Sequence, residues 1–172
     1  MGKAKLQAEL GLNTKQEAEN LFNQYHDNVP FVRELMNRTS SFAQTSGSIG
    51  TLLGRKCRFD KWEPATFGMH TPMTLEEAER TYGRGRIKRA FTYKALNKLI
   101  QGSAADMTKK AMLDLYQEGI VPHIQIHDEL DLSIESDAQA KKIIEIMENA
   151  VKLTIPNKVD YESGKTWGEI NG

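Results

Sequence analysis

The sequence predicts an α+β fold, helical in its first part and built in its second from helices packed on a small antiparallel sheet. Three observations carry that prediction. Apolar residues recur at helical spacing through residues 14–46 and again through 86–117. Alternating apolar and polar residues flank a compact polar turn at His127-Asp128-Glu129. A further helical period over residues 136–151 is followed by a last extended stretch.

Taken in order, Thr14-Lys15-Gln16-Glu17 has the form of a capping box, and Ala18, Leu21, Phe22 and Tyr25 follow at helical spacing. Asn28 and Pro30 punctuate the chain. Phe31, Leu35, Thr39 and Phe42 then line a second helix that stops near Gly47. Ile49 to Phe59 reads as a hairpin turning at Gly54, and residues 60–73, with Pro64, Gly68 and Pro72, read as a loop. Thr74-Leu75-Glu76-Glu77 is a second capping box, opening a short helix closed by Gly83 and Gly85.

Arg86 to Gln117 reads as one long helix, with Ile87, Phe91, Ala95 and Leu99 on one apolar line and Ile100, Ala104, Met107, Ala111 and Leu115 on another. Gly102 costs such a helix about 1 kcal/mol relative to Ala, so close approach of another backbone is expected there. Gly119 ends it. Val121 to Ile126 and Leu130 to Ile134 read as two strands with one buried face. Ser136 caps a helix with Ala140, Ile143, Ile144, Met147 and Val151 inward, stopped by Pro156, and a final strand around Val159-Asp160-Tyr161-Glu162 precedes Trp167. The elements divide into a helical segment over 1–48, a hairpin, loop and short helix over 49–83, and an α+β segment over 84–172.

Composition narrows the function. The chain has 172 residues, 39% of them hydrophobic, and a mean hydropathy of −0.55, which suits a globular domain. No run approaches the roughly 18 apolar residues of a membrane span. Met1-Gly2-Lys3-Ala4-Lys5 has no apolar run behind it, so no secretory signal is expected. Cys57 is the only cysteine, which excludes an internal disulfide and a cysteine-based zinc cluster. The net charge is zero, with 23 basic and 23 acidic residues, yet residues 84–110 hold eight basic side chains against one acidic, Asp106. Residues 111–172 hold five basic against twelve acidic. The basic stretch suits a polyanion, with a solvated helix face as the alternative.

Chemistry has three candidate seats. At His127-Asp128-Glu129, strands would fix two carboxylates at a turn, a donor set suited to Mg2+; two are too few for a complete two-metal site, and an ordinary acidic turn is the alternative. Arg86, Arg89, Tyr93, Asn97 and Gln101 step by three or four residues and would form one helical stripe, the arginines suited to phosphates and the amides to base edges. Arg55-Lys56-Cys57-Arg58, beside Gly54, could touch phosphates or simply be solvated. Cys57 has no visible partner for nucleophilic work, and His26, His70 and His123 lack ligand spacing.

These segments together resemble the C-terminal part of the polymerase domain of family A (DNA polymerase I-type) DNA polymerases. Ala95-Leu96-Asn97-Lys98-Leu99-Ile100-Gln101-Gly102-Ser103-Ala104-Ala105-Asp106, followed by Lys109 to Met112, resembles the long palm helix of that family. Gln125-Ile126-His127-Asp128-Glu129-Leu130 is similar to motif C, Leu53-Gly54-Arg55 to the L-x-G-R hairpin, and Gly164-Lys165-Thr166-Trp167 to the closing G-x-x-W. Order and spacing agree over nearly the whole chain.

The resemblance implies a partial palm, with a small antiparallel sheet carrying motif C, plus a helical distal fingers segment. It implies that Asp128 and Glu129 are the catalytic, metal-holding carboxylates, that His127 sits by the primer end, and that Asn97 and Gln101 face the duplex minor groove. Where the family pattern has a basic residue four positions before Asn97, this chain has Tyr93, with Lys94 adjacent; Arg89, Arg86 and Arg55 complete the expected DNA contacts. Motifs A and B have no counterpart here, and Met1-Gly2-Lys3-Ala4 with Leu6 resembles the residues just after motif B. The two-metal Mg2+ site would therefore be incomplete. Primer-template DNA and dNTPs are the implied substrates, and a separate N-terminal polypeptide bearing motifs A and B the implied partner, with an excised piece as the alternative. The expected setting is the cytoplasm of a bacterium or of a phage-infected host, away from membranes, with the isolated chain inactive. The competing readings are a non-catalytic duplex-binding module and an inactive structural remnant, with a small metallohydrolase least supported.

Overall fold

The computed structural model describes residues 3–66, 68 and 70–170. Two compact units divide the chain: one holds the residues up to Gly50 together with Lys56–Leu99, the other Thr51–Arg55 together with the residues from Ile100 onward.

The first unit opens with α1 (Lys3–Glu9) and α2 (Lys15–Asn28). Thr14 caps α2 by accepting from the Glu17 amide at 3.2 Å, but the Glu17 carboxylate accepts from Asn13, at 3.1 Å, instead of closing the box on Thr14. Helix α3 (Pro30–Ser46) starts on a proline whose missing N–H costs nothing at a first turn. It ends at Gly47, which takes the left-handed conformation (φ 75°). Strand β1 (Ser48–Gly50) then pairs antiparallel with β2 (Lys56–Arg58), Ile49 opposite Cys57. Ala43, Ile49, Phe59 and Ala95 form the buried core, with Cys57 and Leu99 packed against it. The lone cysteine is thus a small core residue.

The expected loop over 60–73 contains structure, and the expected helix from Arg86 starts late. Strand β3 (Trp62–Pro64) pairs antiparallel with β4 (Ile87–Arg89), and Met73 bridges Trp62. Helix α4 (Leu75–Tyr82) lies between them in sequence, with a complete capping box at Thr74 and Glu77. After β4, Phe91 is left-handed (φ 63°), Thr92–Lys94 makes a single 3-10 turn, and α5 begins only at Ala95 and runs to Gln117. The cause is pairing at a distance. Lys88 meets Glu63 at 3.6 Å, and the Arg89 guanidinium stacks 4.5 Å over the Trp62 ring and donates to the Phe59 carbonyl at 2.9 Å. These contacts outweigh the weak local preference for helix over residues 86–94.

In the second unit Leu115 is fully buried, and α5 closes with Gly119 (φ 75°) while the Ile120 amide donates to the Leu115 carbonyl at 2.9 Å. Strands β5 (Ile124–Ile126) and β6 (Glu129–Asp131) form a third, separate two-stranded sheet. They are shorter than expected, and the face expected to be buried is not: Ile124 is 49% and Ile126 36% exposed. Two short strands cannot cover each other's apolar face. Helix α6 (Asp137–Asn149), capped by Ser136, buries Ala140 and Ile143 and ends well before Pro156. No strand forms at Val159–Glu162; the Val159 amide instead donates to the Glu148 carboxylate at 3.2 Å. The short α7 (Trp167–Ile170) follows. Among the described residues no helix is long and apolar enough to cross a membrane.

Candidate functional site

The acidic hairpin is a two-residue turn. The register pairs Ile126 with Glu129, so His127 and Asp128 alone form the connection and Glu129 is the first residue of β6. The turn needs positive φ, and His127 supplies it (φ 52°), a conformation less costly for His than for a β-branched residue. The Gln125 side-chain amide donates to the His127 carbonyl at 2.5 Å and braces the turn. Asp128 and Glu129 are both exposed, one at the tip and one on the strand. Their hard carboxylate oxygens suit Mg2+. Among the described residues, however, no group of three or more His, Cys, Asp or Glu is arranged to hold a metal ion.

The expected stripe is reduced to its helical end. Asn97 and Gln101 lie on α5 four residues apart and are exposed, with no hydrogen bond on either amide among the described residues. Arg86, Arg89 and Tyr93 precede α5 and share no helical face with them. Arg89 is held by Trp62 and the Phe59 carbonyl. Arg86 is exposed just before β4, and its carbonyl accepts from the Ala65 amide at 2.8 Å. Tyr93 is exposed in the 3-10 turn, with the Lys94 ammonium 4.9 Å from the Phe91 ring centroid. The Gly164–Trp167 stretch leads into α7 with Trp167 exposed, and Met1 and Gly2, on which the motif B resemblance begins, lie outside the described residues.

Arg55, an expected DNA contact, is half exposed and also engages α5. Its Nε donates to Asp106 at 2.9 Å and its Nη2 to the Gly102 carbonyl at 2.9 Å. Thr51 Oγ1 donates to the other Asp106 oxygen, and the Leu52 amide donates to Ser103 Oγ at 2.9 Å. The Thr51–Arg55 turn is thereby fastened to α5. Asp106 is only 6% exposed, and the Thr51 hydrogen bond, ahead of the Arg55 contact, holds its carboxyl below the usual value against the opposing effect of burial. The close approach expected at Gly102 is real but made by a side chain: a Cβ there would sit 2.7 Å from Thr51 Cγ2. Thr51 lies outside the motifs read from the sequence, while Ser103 and Asp106 fall in the stretch that resembles the palm helix but carry no site role there. One signal did point to Asp106, as the single acid in the basic stretch 84–110.

A model of the family described as "DNA polymerase family A" matches residues 1–169. The chain is 33% identical to a DNA-directed DNA polymerase of Pseudomonas phage M6, over 91% of this chain and 20% of that protein. It is also 33% identical to DNA polymerase I of Borreliella burgdorferi, over 99% of this chain and 18% of that one. A solved structure of the POL domain of Pol1 from M. smegmatis, in complex with DNA primer-template and dNTP, is similar with a TM-score of 0.74 and 26% identity, over 99% of this chain and 28% of that chain. The chain thus spans about a fifth of the length of these two curated relatives.

Proposed function

The chain belongs to DNA polymerase family A, and on that premise we propose that it supplies part of a template-directed polymerase site, the motif C carboxylates and the minor-groove contacts. Residues 1–48 are read as distal fingers, 49–83 as an intervening hairpin module and 84–172 as palm. The observation that carries the reading is the exposed two-residue turn bearing Asp128, inside a stretch matched to the family from end to end.

Asp128, with Glu129 beside it, would hold Mg2+, and His127 would sit against the primer end. Bound Mg2+ supplies charge stabilisation for attack of a primer 3′-hydroxyl on the α-phosphate of a dNTP, with pyrophosphate leaving. The exposed amides of Asn97 and Gln101 offer donors and acceptors to minor-groove edges, whose pattern is nearly independent of sequence, as copying any template requires. Arg86, Tyr93 and Lys94 are proposed phosphate or sugar contacts of lesser weight. Two carboxylates do not complete a two-metal clamp, so activity requires polymerase sequence carrying motifs A and B, on a longer chain or on a partner polypeptide. The bacterial and phage relatives support a setting in the cytoplasm of a bacterium or of an infected host.

The test is primer extension with Mg2+ and dNTPs. The pure chain alone is expected to be inactive, and the chain mixed with an upstream polymerase fragment bearing motifs A and B is expected to extend. Extension by the pure chain, or full activity of the Asp128→Asn mixture, would overturn the proposal. The second result would favour a duplex-binding module or a structural remnant.

A further inference from the structure

The fastening of the Thr51–Arg55 turn to α5 has a chemical layout that stability alone does not require. Every contact lands within the five residues that follow Gln101. Arg55 Nη2 takes the Gly102 carbonyl, the Leu52 amide takes the Ser103 hydroxyl, and Asp106 is gripped on one oxygen by Arg55 Nε and on the other by Thr51. Thr51 Oγ1 also accepts from the Arg55 amide at 3.0 Å, so the turn and its grip on the helix are one connected network. The methyl of Thr51 fills the space over Gly102 that any Cβ would need. The Gln101 side chain is exposed and makes no hydrogen bond among the described residues. An exposed glutamine on a bare helix samples several rotamers over a backbone that breathes; here the backbone beneath it is pinned from outside the helix.

The geometry points to Thr51, Arg55 and Asp106 as positioning residues for Gln101, a network that fixes the helical turn from which Gln101 reaches for duplex DNA. This rests on the reading of Gln101 as a minor-groove contact. Asp106 is buried but Arg55 is half exposed, and an ion pair with an exposed partner adds little net stability, whereas gripping both oxygens of one carboxylate fixes a single arrangement of turn and helix. Asp106→Asn is the discriminating variant, because it keeps the shape of the side chain and removes the charge that orders Arg55 and Thr51.

Two measurements on the 172-residue chain decide it. In amide hydrogen exchange and side-chain amide NMR, Asp106→Asn is expected to lose protection at residues 101–105 and to broaden or shift the Gln101 side-chain amide, with α6 unaffected. An unchanged Gln101 in a folded Asp106→Asn protein overturns the inference. The second measurement is a double-mutant cycle on primed-duplex affinity, using Asp106→Asn, Gln101→Ala and the double variant. Coupled residues typically deviate from additivity by a few-fold to about a hundredfold. Asp106→Asn is expected to weaken binding when Gln101 is present and to do little when it is alanine. Additive losses overturn the inference, since a merely structural role would weaken both backgrounds alike. Exchanging the charges, Arg55→Asp with Asp106→Arg, offers a rescue arm if the single variant unfolds. Wild-type protein that is indifferent to Gln101→Ala would sink the minor-groove reading instead, leaving the NMR to decide the network.

Discussion

Two turns in the second unit make opposite use of the same device. Thr51–Arg55 connects β1 to β2, and His127-Asp128 connects β5 to β6; both follow strands of three residues. The first is bound to α5 by side chains of its own residues and holds a buried acid. Among the described residues the second is braced only by the Gln125 amide, and it displays its acid to solvent. An acid with its charge already neutralised can order a backbone but has little left for a ligand. An acid at a bare tip can bind a cation but cannot by itself fix where that cation sits. In the proposed polymerase the first turn serves positioning and the second serves chemistry.

That contrast can be broken, or sharpened, by substitution. The largest effect is expected from Asp128→Ala, which should lower primer extension by the complemented polymerase roughly a hundredfold or more while leaving the melting temperature of the chain unchanged; a melting shift would mean that the tip carries structure after all. Next is Gly102→Ala. Its Cβ would meet Thr51 Cγ2 at 2.7 Å, and overpacking of this kind costs about 1–3 kcal/mol, more than the ~1 kcal/mol that Ala gains in a helix. A lower denaturation midpoint is therefore expected, and an unchanged or higher one would show that the turn yields.

The third expectation concerns pH. The Asp106 carboxyl is held below its ordinary value of 3.8 in the folded chain, so its contribution is complete above that value and is lost as pH falls through the lower folded one. Acid unfolding below about pH 4 should become less steep in Asp106→Asn. The smallest effect is expected at Ile126→Thr, beside the bare turn, where exposure limits the loss to about 0.5 kcal/mol by chemical denaturation. A larger loss would mean that β5 is packed more tightly than its exposure indicates.

Much of this was legible in the sequence wherever the deciding interaction is local. The cap at Thr14, the capping box at Thr74, the glycine stop of α3, the turn at Gly54, the Ser136 cap and the acidic hairpin all depend on residues a few positions apart. Residues 86–94 mislead because Ile87, Phe91, Ala95 and Leu99 keep helical spacing, while the contacts that make 87–89 a strand come from Trp62 and Glu63, more than twenty residues upstream. The pairing of Arg55 with Asp106 is hidden for the same reason, the two lying 51 positions apart. Within the candidate site, the chemistry of Asp128 and Glu129 could be read from their identity and from the turn, and the amide pair on α5 from its spacing. The network beneath Gln101 could not, because it is written in two distant segments.

The acidic hairpin also has a consequence for how this protein behaves in a tube. Among the described residues its sheet has two strands, so the outer backbone of β5 and β6 is left as a template, with Ile124 and Ile126 beside it. Such borders recruit further strands and seed aggregation. Concentrated stocks of the chain should therefore grow oligomers through residues 124–131, and a lysine introduced at position 124 should keep them dispersed.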